Sequence, residues 1–115
     1  FAPTTYIEPF GTVVIESQMC GTPTLTTDWG AFTETVLNGL NGWRCRTLGE
    51  FIRGAETARY MDRHAIHRYA LAEYSLDSIG FRYDRYFKRL LTLWDEGWYT
   101  VEPRDFPVRS NHVWE

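Results

Sequence analysis

Cysteine is scarce. Cys20 and Cys45 are the only two in 115 residues. Two thiols cannot build the disulfide framework of a small secreted domain, and their spacing matches no zinc or redox motif. Both are expected to be reduced and buried, which fits a cytoplasmic protein. Long apolar runs are missing too. None approaches the roughly 20 residues that a membrane-spanning helix needs. The N-terminus lacks the charged, apolar, then small-residue order of a signal peptide. Positive charge is also in short supply, with a formal net charge of −3 and Lys88 as the only lysine. That argues against nucleic acid as a partner, since such binders usually carry a basic domain.

What is present suffices for one packed domain. Hydrophobic residues make up 43% of the chain and aromatics 17%, so disorder is not expected. Charge is distributed in three blocks. Residues 1–50 carry net −3, residues 51–94 net +3, and residues 95–115 net −3. The basic middle reads as a solvated helical face.

The first half alternates short α and β elements. Pro3 and Pro9 keep residues 1–9 extended. Gly11 to Met19 is expected to form a short helix, capped by Thr12 and stopped by Gly21 and Pro23. The β-branched run Thr24 to Thr27 reads as a strand. Ala31 to Leu37 reads as a second short helix, and Trp43 to Arg46 as a brief strand after the Asn41-Gly42 turn. The second half is helical, over 48–60, 62–73, and from a Ser75 cap to about Glu96. In that last helix Leu76, Ile79, Tyr83, Phe87, Leu90 and Trp94 recur at spacings of three and four, one helical face. The aromatics of this face read as core or interface packing. From Pro103 the tail has no periodicity.

Chemistry concentrates in Tyr6 to Pro23, YIEPFGTVVIESQMCGTP. Glu8 precedes the first helix and Glu16 lies about one turn inside it. Between them falls the helix N-terminus, whose free N–H groups and dipole suit a phosphate. Gly11 has no side chain, so a ligand can approach the backbone closely. A loop carboxylate, an open helix start and a second carboxylate can bind a sugar, a diphosphate and a ribose in series. Each charged hydrogen bond of this kind is worth ~1.5–3 kcal/mol. Taken alone, two glutamates at this spacing are more often an ordinary solvated pair.

The surrounding residues resemble the E-x7-E motif of retaining GT-B glycosyltransferases, specifically glycosyltransferase family 4. The matching positions are Glu8-Pro9-Phe10-Gly11, Glu16, and Cys20-Gly21-Thr22-Pro23. After them come the strand Thr24 to Thr27, Asp28-Trp29-Gly30, Glu34, and the glycines 39 and 42. The likeness covers about residues 3–46 and is looser over 47–96. The resemblance implies an α/β fold: the C-terminal part of a Rossmann-like, three-layered nucleotide-sugar-binding domain over 1–96, with a helical C-terminal extension and a tail over 97–115. It implies that Glu8 faces the transferred sugar as the catalytic carboxylate. The backbone N–H groups of Phe10, Gly11, Thr12 and Val13 would lie at the sugar and diphosphate, and Glu16 would bind the ribose. Glu34 would be structural, bonding the loop at Asp28 to Gly30. The donor would be a nucleotide sugar, with no bound metal or other cofactor. The acceptor is left open.

The sequence departs from the family pattern in several ways. Family members have two domains facing a cleft, and the residues that grip the diphosphate and the base lie upstream of the motif. This chain alone is therefore expected to be inactive and to need an N-terminal domain or a partner chain. Thr12 stands where Leu or Ile is usual. Trp29 and Ala31 flank Gly30 where a Gly-Gly pair is common. Two other readings stay open. One is a non-catalytic remnant or interaction module that associates through an exposed sheet edge, as an oligomer or with another chain. The other is a GT-B phosphorylase or epimerase. His64 and His67, three apart near Asp62, have a spacing that can hold a metal, but no third ligand converges in the sequence.

Overall fold

The computed structural model describes residues 1–96. The expected tail over 97–115 lies outside the described residues. The architecture is mixed α/β, as expected for part of a Rossmann-like domain. Its elements are α1 (Thr12–Met19), β1 (Thr24–Thr27), α2 (Phe32–Thr35), β2 (Gly42–Cys45), α3 (Leu48–Ala58), α4 (Arg63–Tyr74) and α5 (Leu76–Glu96). Phe1–Ile79 form one compact unit, and a second begins at Gly80.

In the first unit β1 and β2 pair in parallel, with Thr24 opposite Gly42 and Thr27 opposite Cys45. Ala2 extends the sheet on the other side of β1, bridging Thr26 and donating its N–H to the Leu25 carbonyl at 2.8 Å. All four β1 residues are buried, which is why a Thr-rich run can serve as the central strand. Successive side chains point to opposite faces. Thr24 meets Gln18 of α1, and Leu25 packs beside Gly54 of α3. The sheet is thus sandwiched between α1 and α3, the three layers expected. On the α1 side, Val14, Phe32 and Val36 form the core with Ala2. The outer side of α1 is covered by α4, whose Ile66 and Ala70 are fully buried.

Local signals explain most boundaries. Gly21, at φ +69°, ends α1 in a Schellman motif. Its N–H bonds the Gln18 carbonyl at 2.9 Å, and Thr22 N–H bonds Ser17 at 3.0 Å. A Thr47–Glu50 capping box starts α3. The Asp62 carboxylate caps α4, accepting from His64 and Ala65 N–H. These amides, Ala65 first, hold its pKa below the usual carboxylate value. Ser75 accepts from Ser78 N–H at 3.2 Å and starts α5 as expected.

Three expectations change. Thr12 is the first helical residue of α1, not its cap. Gly11 occupies the cap in the left-handed region with no side-chain cap bond. α2 is shorter than 31–37 because Val36 turns extended (φ −114°, ψ 114°) and is fully buried, so core packing overrides helix continuation. Cys20 is exposed at the C-cap of α1, whereas Cys45 is buried.

In the second unit, α5 carries ring contacts between Tyr83 and Phe87 (5.9 Å) and between Tyr86 and Phe87 (5.7 Å). A Lys88–Asp84 ion pair of 2.8 Å lies on the same helix. Among the described residues no helix is long and apolar enough to cross a membrane.

Candidate donor-binding site

Glu8 lies in the loop before α1, half-buried, and its carboxylate is held at both ends. Oε1 accepts from Gly11 N–H at 3.0 Å and, at 3.4 Å, from Phe10 N–H. Oε2 accepts from the Tyr6 hydroxyl at 2.9 Å. The Tyr6 hydrogen bond, then the Phe10 and Gly11 amides, hold the Glu8 carboxyl below the usual range against the opposing effect of desolvation. In return, the Glu8 hydrogen bond and charge push the Tyr6 phenol up. At neutral pH the pair is therefore an ionised Glu8 and a protonated Tyr6.

Two glycines make this loop geometry attainable. Gly11 sits at φ +76°, and a Cβ there would stand 2.7 Å from the Phe32 ring. Gly30 sits at φ +62°, and a Cβ there would stand 2.6 Å from the Glu8 carbonyl oxygen and 2.8 Å from its nitrogen. Next to it, Ala31 N–H donates to the Glu8 carbonyl at 2.8 Å. The β1–α2 loop thus braces the Glu8 backbone directly.

The four amides assigned to the ligand divide into two pairs. Those of Phe10 and Gly11 face the Glu8 carboxylate. Those of Thr12 and Val13 are in the first turn of α1, where an amide has no intrahelical acceptor. Thr12 and Val13 are both exposed. Glu16 is exposed as well, and lies three and four residues beyond them, hence on the same helix face. The Thr12, Val13 and Glu16 side chains therefore share one exposed side of α1, and Glu8 lies at its N-terminal end, bonded to the Gly11 amide.

The helix is fixed from behind by a buried polar network. The Gln18 amide nitrogen donates to the Thr35 carbonyl at 3.1 Å, and that of Asn41 donates to Gln18 Oε1 at 3.2 Å. Asn41 Oδ1 accepts from Leu37 N–H at 2.7 Å. Both side chains are fully buried, so the satisfied network pins α1 to the turn before β2.

Glu34 is exposed on α2. The loop it was expected to hold is tied elsewhere. Thr33 donates to the Gly30 carbonyl at 2.8 Å, while Arg44 and Arg46 pair with Asp28 at 3.4 and 2.7 Å. His67 Nδ1 bonds the Met19 carbonyl, joining α4 to α1. No group of three or more His, Cys, Asp or Glu side chains converges as metal ligands among the described residues.

A separate cavity of about 310 Å³ lies between β2 and α3, lined by Trp43, Cys45, Arg53 and their neighbours. None of the residues assigned to the donor lines it. Burial, then the charges of Glu50 and Asp28, push the Cys45 thiol up, so it is protonated and a poor nucleophile.

Sequence reasoning missed Tyr6, Trp29 and the Arg44–Asp28–Arg46 triad. Only the Tyr6-x-Glu8 spacing offered a local signal, because residues two apart in an extended segment project to the same side.

No curated protein matches the chain. The family model described as Glycosyl transferases group 1 matches residues 1–47. This match supports a role in glycosyl transfer, and the segment it covers holds Glu8, the start of α1 and Glu16.

Proposed function

We propose that residues 1–96 are the C-terminal part of the nucleotide-sugar-binding domain of a retaining GT-B glycosyltransferase, of the family 4 type. The observation that carries the reading is the row formed by Glu8, the open first turn of α1 and Glu16, set within the segment that matches the family model. The donor diphosphate takes the Thr12 and Val13 amides, where the helix dipole favours negative charge. Glu16 accepts from the ribose hydroxyls. Glu8, kept ionised, accepts from hydroxyls of the transferred sugar and stabilises positive charge as its ring becomes oxocarbenium-like. The Phe10 and Gly11 amides orient that carboxylate as well as lying near the sugar. No metal or other cofactor enters this scheme. An upstream domain, or a partner chain in its place, supplies the rest of the donor grip and the acceptor site. The cytoplasm is the compartment proposed for the reaction.

Replacing Glu16 by Ala in the intact enzyme is expected to weaken donor binding by ~10 to 100-fold, the loss of one or two charged hydrogen bonds. Its effect on the chemical step is expected to be smaller. Calorimetric titration with the nucleotide sugar reads the first, and single-turnover kinetics the second. Unchanged donor affinity removes Glu16 from the ribose.

A further inference from the structure

We propose that Tyr6 and Trp29 form a positioning relay for the Glu8 carboxylate, Tyr6 by direct hydrogen bond and Trp29 by fixing Tyr6. The inference rests on the reading of Glu8 as the sugar-facing carboxylate, and it uses residues to which that reading gives no role.

The geometry runs in one direction across the loop. Trp29 Nε1 donates to the Tyr6 carbonyl at 3.0 Å and approaches Thr4 Oγ1 at 3.2 Å. Thr4 in turn is tied to β1, its N–H donating to Thr27 Oγ1 at 3.3 Å. The indole therefore anchors the Tyr6 backbone to the buried strand. From that anchor the phenol reaches Glu8 Oε2 at 2.9 Å, while the other oxygen is held by Gly11. Donors on both oxygens, the Gly11 and Phe10 amides on Oε1 and the Tyr6 hydroxyl on Oε2, fix the plane of the carboxylate before any ligand arrives. A carboxylate has about four lone-pair sites, so acceptor capacity remains for sugar hydroxyls. Such ordering lowers the entropy lost when the donor binds. Trp29 also gives the departure from the usual Gly-Gly pair beside Gly30 a use, because a glycine there has no side-chain N–H to reach the Tyr6 carbonyl.

The test is a carbon-detected NMR titration of the glutamate carboxyls in the 115-residue protein, as wild type, Tyr6→Phe and Trp29→Phe. Tyr6→Phe keeps the ring and removes the hydroxyl. The Glu8 titration should move upward toward the ordinary carboxylate range. Trp29→Phe should move it the same way by less, since the Tyr6 hydroxyl remains but is no longer held. Glu50, whose pKa is lowered mainly by the Arg46 and Thr47 amides, should not move in either variant and reports that the fold is intact. A Glu8 titration identical in wild type and Tyr6→Phe, with Glu50 in place, overturns the relay. A shift in Tyr6→Phe with none in Trp29→Phe overturns the part assigned to Trp29. If Glu8 proves not to serve the sugar, that failure appears in donor kinetics and leaves these titrations unaffected.

Discussion

Glu8→Gln is expected to lower kcat of the intact enzyme by about 10² or more, with a smaller loss of donor affinity. The substitution preserves shape. The glutamine oxygen can keep the bond to Gly11 N–H. Its amide nitrogen can face Tyr6, whose hydroxyl both donates and accepts. What disappears is the negative charge that the Tyr6 hydroxyl and the Phe10 and Gly11 amides maintain. Hydroxyls of the bound sugar are neutral and can bond to an amide oxygen, so the ground state loses little. In the proposed mechanism the transition state is oxocarbenium-like and therefore cationic, so it loses more, and only such differential interactions change the rate constant. Single-turnover kinetics on both forms provide the measurement. An unchanged kcat would remove Glu8 from the chemistry.

Gly42→Ala is expected to abolish the folded state of the first unit, although no positive φ is involved. A Cβ at Gly42 would stand 2.0 Å from the Thr24 carbonyl oxygen and 2.8 Å from its hydroxyl. Thr24 and Gly42 are the first paired positions of the parallel ladder. β1 cannot retreat, because all of it is buried between α1 and α3. Ordinary overpacking of a core costs roughly 1–3 kcal/mol. A Cβ driven against a backbone carbonyl oxygen exceeds that, in a fold whose whole stability is on the order of 5–15 kcal/mol. Thermal unfolding followed by circular dichroism should show no cooperative transition. Gly80→Ala is the control. Its Cβ meets nothing within 4 Å, and alanine in place of a helical glycine is expected to stabilise by about 0.5–1 kcal/mol. A Gly42→Ala protein that melts like wild type would contradict the tight β1–β2 pairing.

These two sites mark how far the sequence is legible. Elements set by short-range chemistry could be read directly. Gly21 and Pro23 stop α1, Ser75 starts α5, and the Thr run forms β1, each through its own backbone preference. The functional reading came from elsewhere: Glu8 to Pro23 resembles a family motif, whereas the spacing of the two glutamates alone reads as a solvated pair. Features made by distant residues could not be read. The cap of α1 falls on Gly11, where a side chain would run into the ring of Phe32, so a local rule placed it wrongly on Thr12. The end of α2 depends on where Val36 finds the core, and Gly42 matters only because the oxygen of Thr24 lies against it. The Gln18–Asn41 network joins residues 23 positions apart. Trp29 departs from the family pattern, and nothing near it in the sequence points to the bond from its indole to the Tyr6 carbonyl.

The most direct test of the central claim is an amide-resolved NMR titration of the 15N-labelled protein with a panel of nucleotide sugars. Because the remainder of the donor grip is proposed to lie upstream, binding by this chain should be weak and in fast exchange. The account predicts that the shifts concentrate between Glu8 and Glu16, largest at the Thr12 and Val13 amides, which have no helical acceptor to give up. Shifts confined to the cavity between β2 and α3, around Trp43 and Arg53, with residues 8–16 unmoved, would contradict it.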